Sequence, residues 1–440
     1  MLLLMAMTLV VMACTGIEDM AGTPEQERSA QQQPVSFSAY VNRSTTRGGA
    51  TGQLTTDGTG GTTSSLRTEG FGVFGFYTGS RLYNQMSLPN FMYNQQVTHD
   101  GSDWTYSPIK YWPNENGTNG SQDADYLSFF AYAPYAEVDG STGCVTTEPK
   151  NSGIVALTRA KDSGDPLVSY YASFNPSECV DLCWAAPLLD QKRPDNIGEK
   201  ETFNFHHALA ALNVQIDADV DVVSHATSSL DGNTRIWVRS VTFEGFATKG
   251  QLNLNGGNWN KLDCDCDLKG DPITIYDGRR DRHEGIAQAL NERPTGLNPE
   301  LVQSTPYTVN PEAVPPTPTF SSTTLGVTTS LVNLFGSSSA IDAPIYVIPT
   351  NDPLRVTIEY DVETYDPKLT SQYLSDGRTH GSTIENSISA YITNGTTPIV
   401  MEAGKQYTLN LHLGVASVKM NASVTPWADD IRNVDVNVPE

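Results

Sequence analysis

Leu354-Arg355-Val356-Thr357-Ile358-Glu359-Tyr360-Asp361-Val362 sets an apolar or aromatic side chain at every second position and a polar or charged one between them. Tyr407, Leu409, Leu411, Leu413 and Val415 alternate in the same way with Thr408, Asn410, His412 and Gly414. Successive side chains of a strand leave opposite faces, so a period of two means a strand with one face packed and one wet. Val35, Phe37, Ala39 and Val41, interleaved with Ser36, Ser38, Tyr40 and Asn42, predict another such strand near the N-terminus. Phe71-Gly-Val-Phe-Gly-Phe-Tyr77 is apolar on both faces and predicts a strand buried on both sides. Residues 107–112, 126–132, 181–186, 203–216, 236–246 and 345–348 supply further candidates, separated by turn clusters such as Pro113-Asn-Glu-Asn-Gly117, and only 282–292 has a helical look. Short, regularly spaced strands with turn signals predict an all-β chain built of antiparallel β-sandwiches.

The 440 residues are enough for two or three domains that each bury a core. The expected organisation is an apolar leader at 1–13, a polar tether at 14–34, one sandwich at 35–200 and a second at 201–440. The polar stretch 190–201 is the linker candidate, and an insertion around 263–324, carrying Pro315-Pro316-Thr-Pro318, decorates the second sandwich. Residues 45–65 are almost wholly Thr, Gly, Ser and other small residues around Arg47, which predicts an exposed functional loop. With 38% apolar and 18% charged residues, 36 Gly and 26 Pro, the composition is turn-rich and extracellular in character. Fifty acidic residues against 27 basic ones give a net charge of −23, whose field repels a phosphate backbone and excludes nucleic acid as a partner.

Residues 1–13 form an uncharged apolar run, shorter than the ~20 residues of a bilayer-spanning helix, and read as a signal-peptide core. Val11-Met12-Ala13-Cys14 resembles the lipobox of bacterial lipoproteins, which implies lipidation of Cys14 by acyl chains such as palmitate. Cys144, Cys179, Cys183, Cys264 and Cys266 then remain, an odd number, so at least one thiol is unpaired. Cys264 and Cys266 are too close for an easy mutual disulfide, and Cys179-x-x-x-Cys183 lacks His residues at zinc-finger spacing, so these cysteines read as structural.

Catalytic spacing is missing. The sequence holds no Gly-x-x-x-x-Gly-Lys-Ser/Thr cradle, no Gly-x-Ser-x-Gly elbow and no His-Glu-x-x-His helix, since His283-Glu284-Gly-Ile-Ala287 lacks the second His. His206 and His207 are adjacent and would point to opposite faces of a strand, so they do not share one ion. Asp263, Asp265 and Asp267 resemble the start of a calcium loop, but Leu268 and Thr274 stand where Gly and Glu belong, which favours an acidic, solvated turn. Trp104, Trp112 and Trp259 are the aromatics that would stack on sugar if exposed. The expectation is a protein without catalytic residues, metal or cofactor.

Phe71 to Tyr77, Trp104-Thr-Tyr106-Ser-Pro108, Tyr111-Trp112-Pro113, Leu127 to Pro134, Asp181-Leu-Cys-Trp184-Ala185, Phe205-His-His207-Ala208-Leu209-Ala210 and Tyr407-Thr-Leu-Asn-Leu411 occur in the order seen in the fimbrillin-like (Mfa-like and FimA-like) family of Bacteroidetes pili, which the chain resembles from about Val35 to Trp427. The resemblance implies two sandwich domains of transthyretin-like topology. It also implies a lipoprotein precursor carried to the outer membrane and, in stalk subunits, an Arg-specific maturation protease that cuts after the first strand. The first strand is then lost, and the C-terminal strand of a neighbouring subunit fills the groove by β-strand addition. Mapped onto this sequence, the displaced strand carries Val35, Phe37, Ala39 and Val41, and the cut falls at Arg47, with Arg43 and Arg67 as alternatives. The donor strand lies within 431–440 and presents Val434, Val436 and Val438. The implied partners are other pilus subunits, the protease, the outer membrane through a lipid anchor, and host or bacterial surface ligands, at the cell surface in a fimbrium serving cell adhesion.

Two other readings use the same residues. A lipid-anchored adhesin or glycan-binding module, of pilus tip or anchor type, would keep its C-terminal strand in its own domain. A glycoside-active enzyme would need two carboxylates roughly 5–10 Å apart beside an aromatic cleft.

Overall fold

The structure, a computed structural model, describes residues 33–41, 54–57, 64–113, 125–146, 152–218, 234–262, 269–277, 332–334, 344–369, 381–413, 418–426 and 433–434. It is all-β apart from a helical turn at Leu66–Glu69 and a 3-10 turn at Pro176–Glu178 among the described residues.

The first half is a sandwich. Its larger sheet runs in the order Phe37–Val41, Glu201–His207, Cys183–Ala185, Tyr126–Ala133, Phe71–Gly79, Met92–His99 and Trp104–Thr105, with Leu188–Gln191 pairing beside Tyr126–Ala133. The smaller sheet is Asn258–Asn260, Lys249–Asn253, Leu167–Tyr171 and Gly153–Leu157. The second half packs the sheet Phe246–Ala247, Ile345–Pro349, Ala210–Ala218, Lys405–Leu413, Val418–Pro426 and Asn433–Val434, with Val332–Asn333 beside Ala210–Ala218, against Ile273–Asp277, Thr234–Glu244, Arg355–Tyr365 and Gly381–Tyr391. Most pairings are antiparallel. Phe37–Val41 with Glu201–His207, Ala210–Ala218 with Lys405–Leu413 and the short pair Leu54–Thr55 with Ser64–Ser65 are parallel.

The alternation read from the sequence sorts the side chains. Val356, Ile358, Tyr360 and Val362 point inward to meet Tyr407, Leu409, Leu411 and Leu413 in the core of the second sandwich. Phe71–Gly79 is buried on both faces: Phe71 and Val73 join Val35, Phe37, Phe129, Phe203 and Phe205 on one side, while Phe74 and Phe76 join Phe130, Tyr132, Val168, Tyr170 and Leu252 on the other. The second cluster also takes in Leu209, Ala211, Tyr346 and Ile348, so the two sandwiches share one apolar layer.

Three expected elements differ. Residues 107–112 form no strand; Ser107-Pro108 is a cis peptide bond, and only a bridge between Pro34 and Tyr111 interrupts an irregular segment. Proline removes a ladder donor there. The apolar run 203–216 is split between two sheets, with Glu201–His207 in the first sandwich and Ala210–Ala218 in the second, so the strand just past residue 200 pairs with the N-terminal half. Strands at 249–260, from beyond that boundary, likewise pair with 167–171. Within the expected insertion, Ile273–Asp277 is an edge strand paired to Thr234–Glu244, while 282–292 lies outside the described residues.

Gly72 marks the tightest point of the first sheet. A Cβ there would stand 2.4 Å from Tyr132 Cε1 and 2.7 Å from Asn94 Oδ1. Tyr132 is fixed in place, donating from its hydroxyl to Asn94 Oδ1 at 2.8 Å and accepting from the Ala136 N–H at 3.2 Å. Gly72→Ala is therefore expected to destabilise the fold by about 1–3 kcal/mol through overpacking, read as a lower denaturant midpoint at unchanged slope.

Candidate functional site

The site is the first strand and the groove it fills. Phe37–Val41 lies at one edge of its sheet and pairs in parallel register with Glu201–His207, Phe37 opposite Glu201, Ala39 opposite Phe203 and Val41 opposite Phe205. Period-two alternation turns Val35, Phe37, Ala39 and Val41 inward, and all four are buried, whereas Tyr40 is 42% exposed. The Phe37 ring lies 5.4 Å from Phe129, 5.5 Å from Phe203 and 5.6 Å from Tyr106, the first of these edge-on. Behind them Phe71 meets Phe203 at 5.8 Å and Phe205 at 5.4 Å. Leu54, Leu66, Tyr106 and Trp112, all outside the main ladder except Tyr106's neighbours Trp104–Thr105, complete the groove wall.

Hydrogen bonds hold the strand at both ends. The Val35 N–H donates to the Lys110 carbonyl and the Trp112 N–H to the Gln33 carbonyl, each at 2.9 Å. The Tyr106 hydroxyl donates to the Val35 carbonyl at 2.7 Å. Burial pushes that phenol up to about 12, so it keeps its proton at any physiological pH. At the far end the Val41 N–H donates to Thr56 Oγ1 at 2.9 Å. Inside the small-residue stretch 45–65, expected to be an exposed loop, Leu54 is buried, Leu54–Thr55 pairs with Ser64–Ser65, and the Leu54 N–H donates to buried Asp181 Oδ2 at 2.7 Å.

The other residues singled out in the sequence fall as follows. Arg67 lies on the helical turn Leu66–Glu69 and pairs with Asp57 at 3.2 Å. Arg43, Arg47, Cys14, Val436 and Val438 lie outside the described residues. Val434 pairs with Ala422 at the end of the second sandwich's larger sheet. Trp112 is core, Trp104 packs on Phe71 at 5.1 Å, and Trp259 donates its Nε1–H to the Ala208 carbonyl at 2.9 Å, so none of the three forms an open sugar platform. His206 sits beside Trp184 on one face, and His207 turns to Asp181 on the other. Tyr106, Leu54 and Asp181 were not legible as part of the site. The Tyr106 hydroxyl meets the Val35 carbonyl and the Asp181 carboxylate meets the Leu54 N–H, contacts between residues distant in sequence that no local pattern records.

A family model described as fimbrillin-like matches residues 56–279. The chain belongs to this family. It is 24% identical to the fimbrium subunit Fim1C of Phocaeicola vulgatus, the alignment covering 99% of this chain and 98% of that protein. The crystal structure of a fimbrial protein from Bacteroides vulgatus superposes with a TM-score of 0.51 at 20% identity, over 90% of this chain and 99% of that one. That likeness extends the shared fold to nearly the whole length of the fimbrillin-like chain.

Phe37 is the side chain on which strand retention rests. Phe37→Ala is expected to cost about 3–5 kcal/mol, while Tyr40→Ala, on the outward face, changes stability by no more than about 0.5 kcal/mol. Chemical denaturation of the two variants side by side checks the contrast.

Proposed function

We propose that this chain is a structural subunit of a surface fimbrium, exported as a lipoprotein through Cys14 and assembled by protease-triggered β-strand exchange. One observation carries the reading: the strand with Val35, Phe37, Ala39 and Val41 is an edge strand whose inward side chains fill an aromatic groove. Similarity to fimbrial proteins supports the structural role. Loss of that strand would leave Glu201–His207 with an unpaired edge and uncover Phe129, Phe203 and Phe205. An incoming strand would regain about 1.5–3 kcal/mol for each large apolar side chain it buries there, together with the ladder hydrogen bonds.

The loop that joins this strand to Leu54 holds Arg43 and Arg47. Val41 is tied to Thr56 on one side and Leu54 to Asp181 on the other, so a cut at Arg47 would separate two anchored ends and leave the strand held without a covalent link. Arg67 is the weaker candidate, because a protease needs extended chain and the helical turn there buries Leu66. Val434, Val436 and Val438 have the i, i+2, i+4 spacing of Phe37, Ala39 and Val41, which suits the donor role. The subunit works without catalytic chemistry, through contacts with other subunits, the outer membrane and the surfaces to which the fimbrium adheres.

A second reading has its own support. Asn433–Val434 pairs with Ser423 and Ala422 of the same chain, as a tip or anchor adhesin that does not polymerise would require.

Limited digestion of the purified unlipidated protein with an Arg-specific protease tests the proposal. The expected result is a new N-terminus at Gly48, loss of the first strand, and ladders of sodium-dodecyl-sulfate-resistant oligomers, with Arg47→Ala blocking all three. A cut product that keeps its first strand bound and stays monomeric overturns strand exchange in favour of the non-polymerising adhesin.

A further inference from the structure

Below the groove, at the end near Leu54, the carboxylate that anchors Leu54 converges with a thiol and an imidazole that strand assembly does not use. Asp181 and Cys183 are two residues apart in the segment entering Cys183–Ala185, and Cys183 is directly opposite His207 in the antiparallel ladder. Cys183 Sγ lies 3.5 Å from His207 Nδ1, Asp181 Oδ2 and Oδ1 lie 2.8 and 3.1 Å from the same nitrogen, and Sγ is 3.9 Å from Asp181 Oδ1. Asp181 and Cys183 are buried, and the His207 side chain is 10% exposed.

A Cys-His-Asp nucleophile would need both ring nitrogens, one facing the thiol and the other the carboxylate. Here thiol and carboxylate address the same Nδ1, so no relay exists. Burial and the Asp181 carboxylate also push the Cys183 thiol well above its ordinary range, which keeps it un-ionised in the absence of a cation.

One sulfur, one imidazole nitrogen and one carboxylate oxygen, all within 4.8 Å of one another, instead describe the ligand face of a tetrahedral ion. Bond lengths of about 2.3 Å to sulfur and about 2.0–2.1 Å to nitrogen and oxygen give edges of about 3.3–3.6 Å between donor atoms. The observed edges of 3.1, 3.5 and 3.9 Å bracket that range, so small rotations of the side chains suffice. Charge agrees with geometry: a thiolate and a carboxylate balance a divalent cation beside neutral imidazole, which removes the cost of a net buried charge. The Leu54 N–H on Asp181 Oδ2 orients the carboxylate as outer partners of metal ligands do.

We propose that Asp181, Cys183 and His207 form a buried three-ligand site for a zinc-class divalent cation. Mixed sulfur and nitrogen donors favour zinc over calcium or magnesium. Binding releases the thiol proton to the buffer, one per ion, and ties Cys183–Ala185, Glu201–His207 and, through Asp181, the chain at Leu54 into one unit. The proposal does not depend on strand exchange.

Cobalt(II) is the probe, since a thiolate-to-cobalt band in the near ultraviolet reports the sulfur ligand directly. The full chain is unfolded with chelator, refolded with one equivalent of Co²⁺ and then challenged with Zn²⁺. One Co²⁺ per chain is expected, with a charge-transfer band that Zn²⁺ abolishes, that survives in Cys264→Ser/Cys266→Ser and that is lost in Cys183→Ser. Absence of the band, or its persistence in Cys183→Ser, overturns the site. Should Cys183→Ser fail to fold, Asp181→Asn, which keeps an acceptor for the Leu54 N–H, is expected to weaken Co²⁺ binding by at least about 10-fold; unchanged affinity overturns the proposal equally.

Discussion

The Glu201–His207 strand has two hydrogen-bonding sides, and the short strand Cys183–Ala185 satisfies only one of them. Its other side needs a partner, and the chain supplies one from residues 37–41, more than a hundred and fifty positions earlier. The aromatic cluster of the first sandwich depends on this closure. Phe203 alternates with Asn204 and Phe205 along the strand, so the pairing that satisfies the backbone also presents two rings to Phe37 and Phe71. Main-chain satisfaction and side-chain burial are thus two aspects of one contact, and removing the first strand would forfeit both together.

The opposite face of the same sheet serves a different purpose. Phe74, Phe76, Phe130 and Tyr132 meet the smaller sheet and, beyond it, Leu209, Ala211, Tyr346 and Ile348 of the second sandwich. Ala210–Ala218 and Ile345–Pro349 therefore divide their side chains between two clusters, Ile345 and Val347 inward to their own core and Tyr346 and Ile348 toward the first half. Domains joined by a shared apolar layer resist relative motion more than domains joined by a polar interface. The first strand sits at the edge of the first sheet, and its buried side chains belong to the opposite cluster and not to the layer that unites the two halves.

Much of this was legible in the sequence because alternation is a local signal. Leu354 to Val362 and Phe71 to Tyr77 needed no partner to be read as half-buried and doubly buried strands. The apolar run 203–216 showed the limit of that signal: it contains a change of sheet at Ala208-Leu209, and both segments are apolar, so nothing in the pattern marks the break. The aromatics of 107–112 suggest a strand, but Pro108 lies inside the stretch and Pro113 follows it, and Trp112 becomes groove wall instead. The spacing Cys179-x-x-x-Cys183 says nothing of His207, which lies opposite Cys183 across the ladder. Register, which depends on long-range pairing, creates that juxtaposition.

The two anchors around the small-residue loop differ in kind, and the difference bears on how a strand can be both retained and released. Val41 is tied to Thr56 by hydrogen bonds between a partly exposed hydroxyl and the backbone, where water competes and each bond contributes about 1 kcal/mol. Leu54 is tied to a buried carboxylate that is already oriented by His207, a charge-assisted bond in a dry setting, of the stronger class. The chain on the downstream side is therefore held more firmly than the chain on the upstream side. While the loop is continuous, the firm anchor lends its hold to the weak one, because the first strand cannot diffuse away from a tethered end and its effective concentration stays high. A cut in that stretch, as proposed, would leave the firm anchor with the body of the protein and the weak one with the strand. Retention would then rest on the buried side chains around Phe37 and on the strand's own hydrogen bonds, which a competing strand would have to match without having to overcome the tether as well.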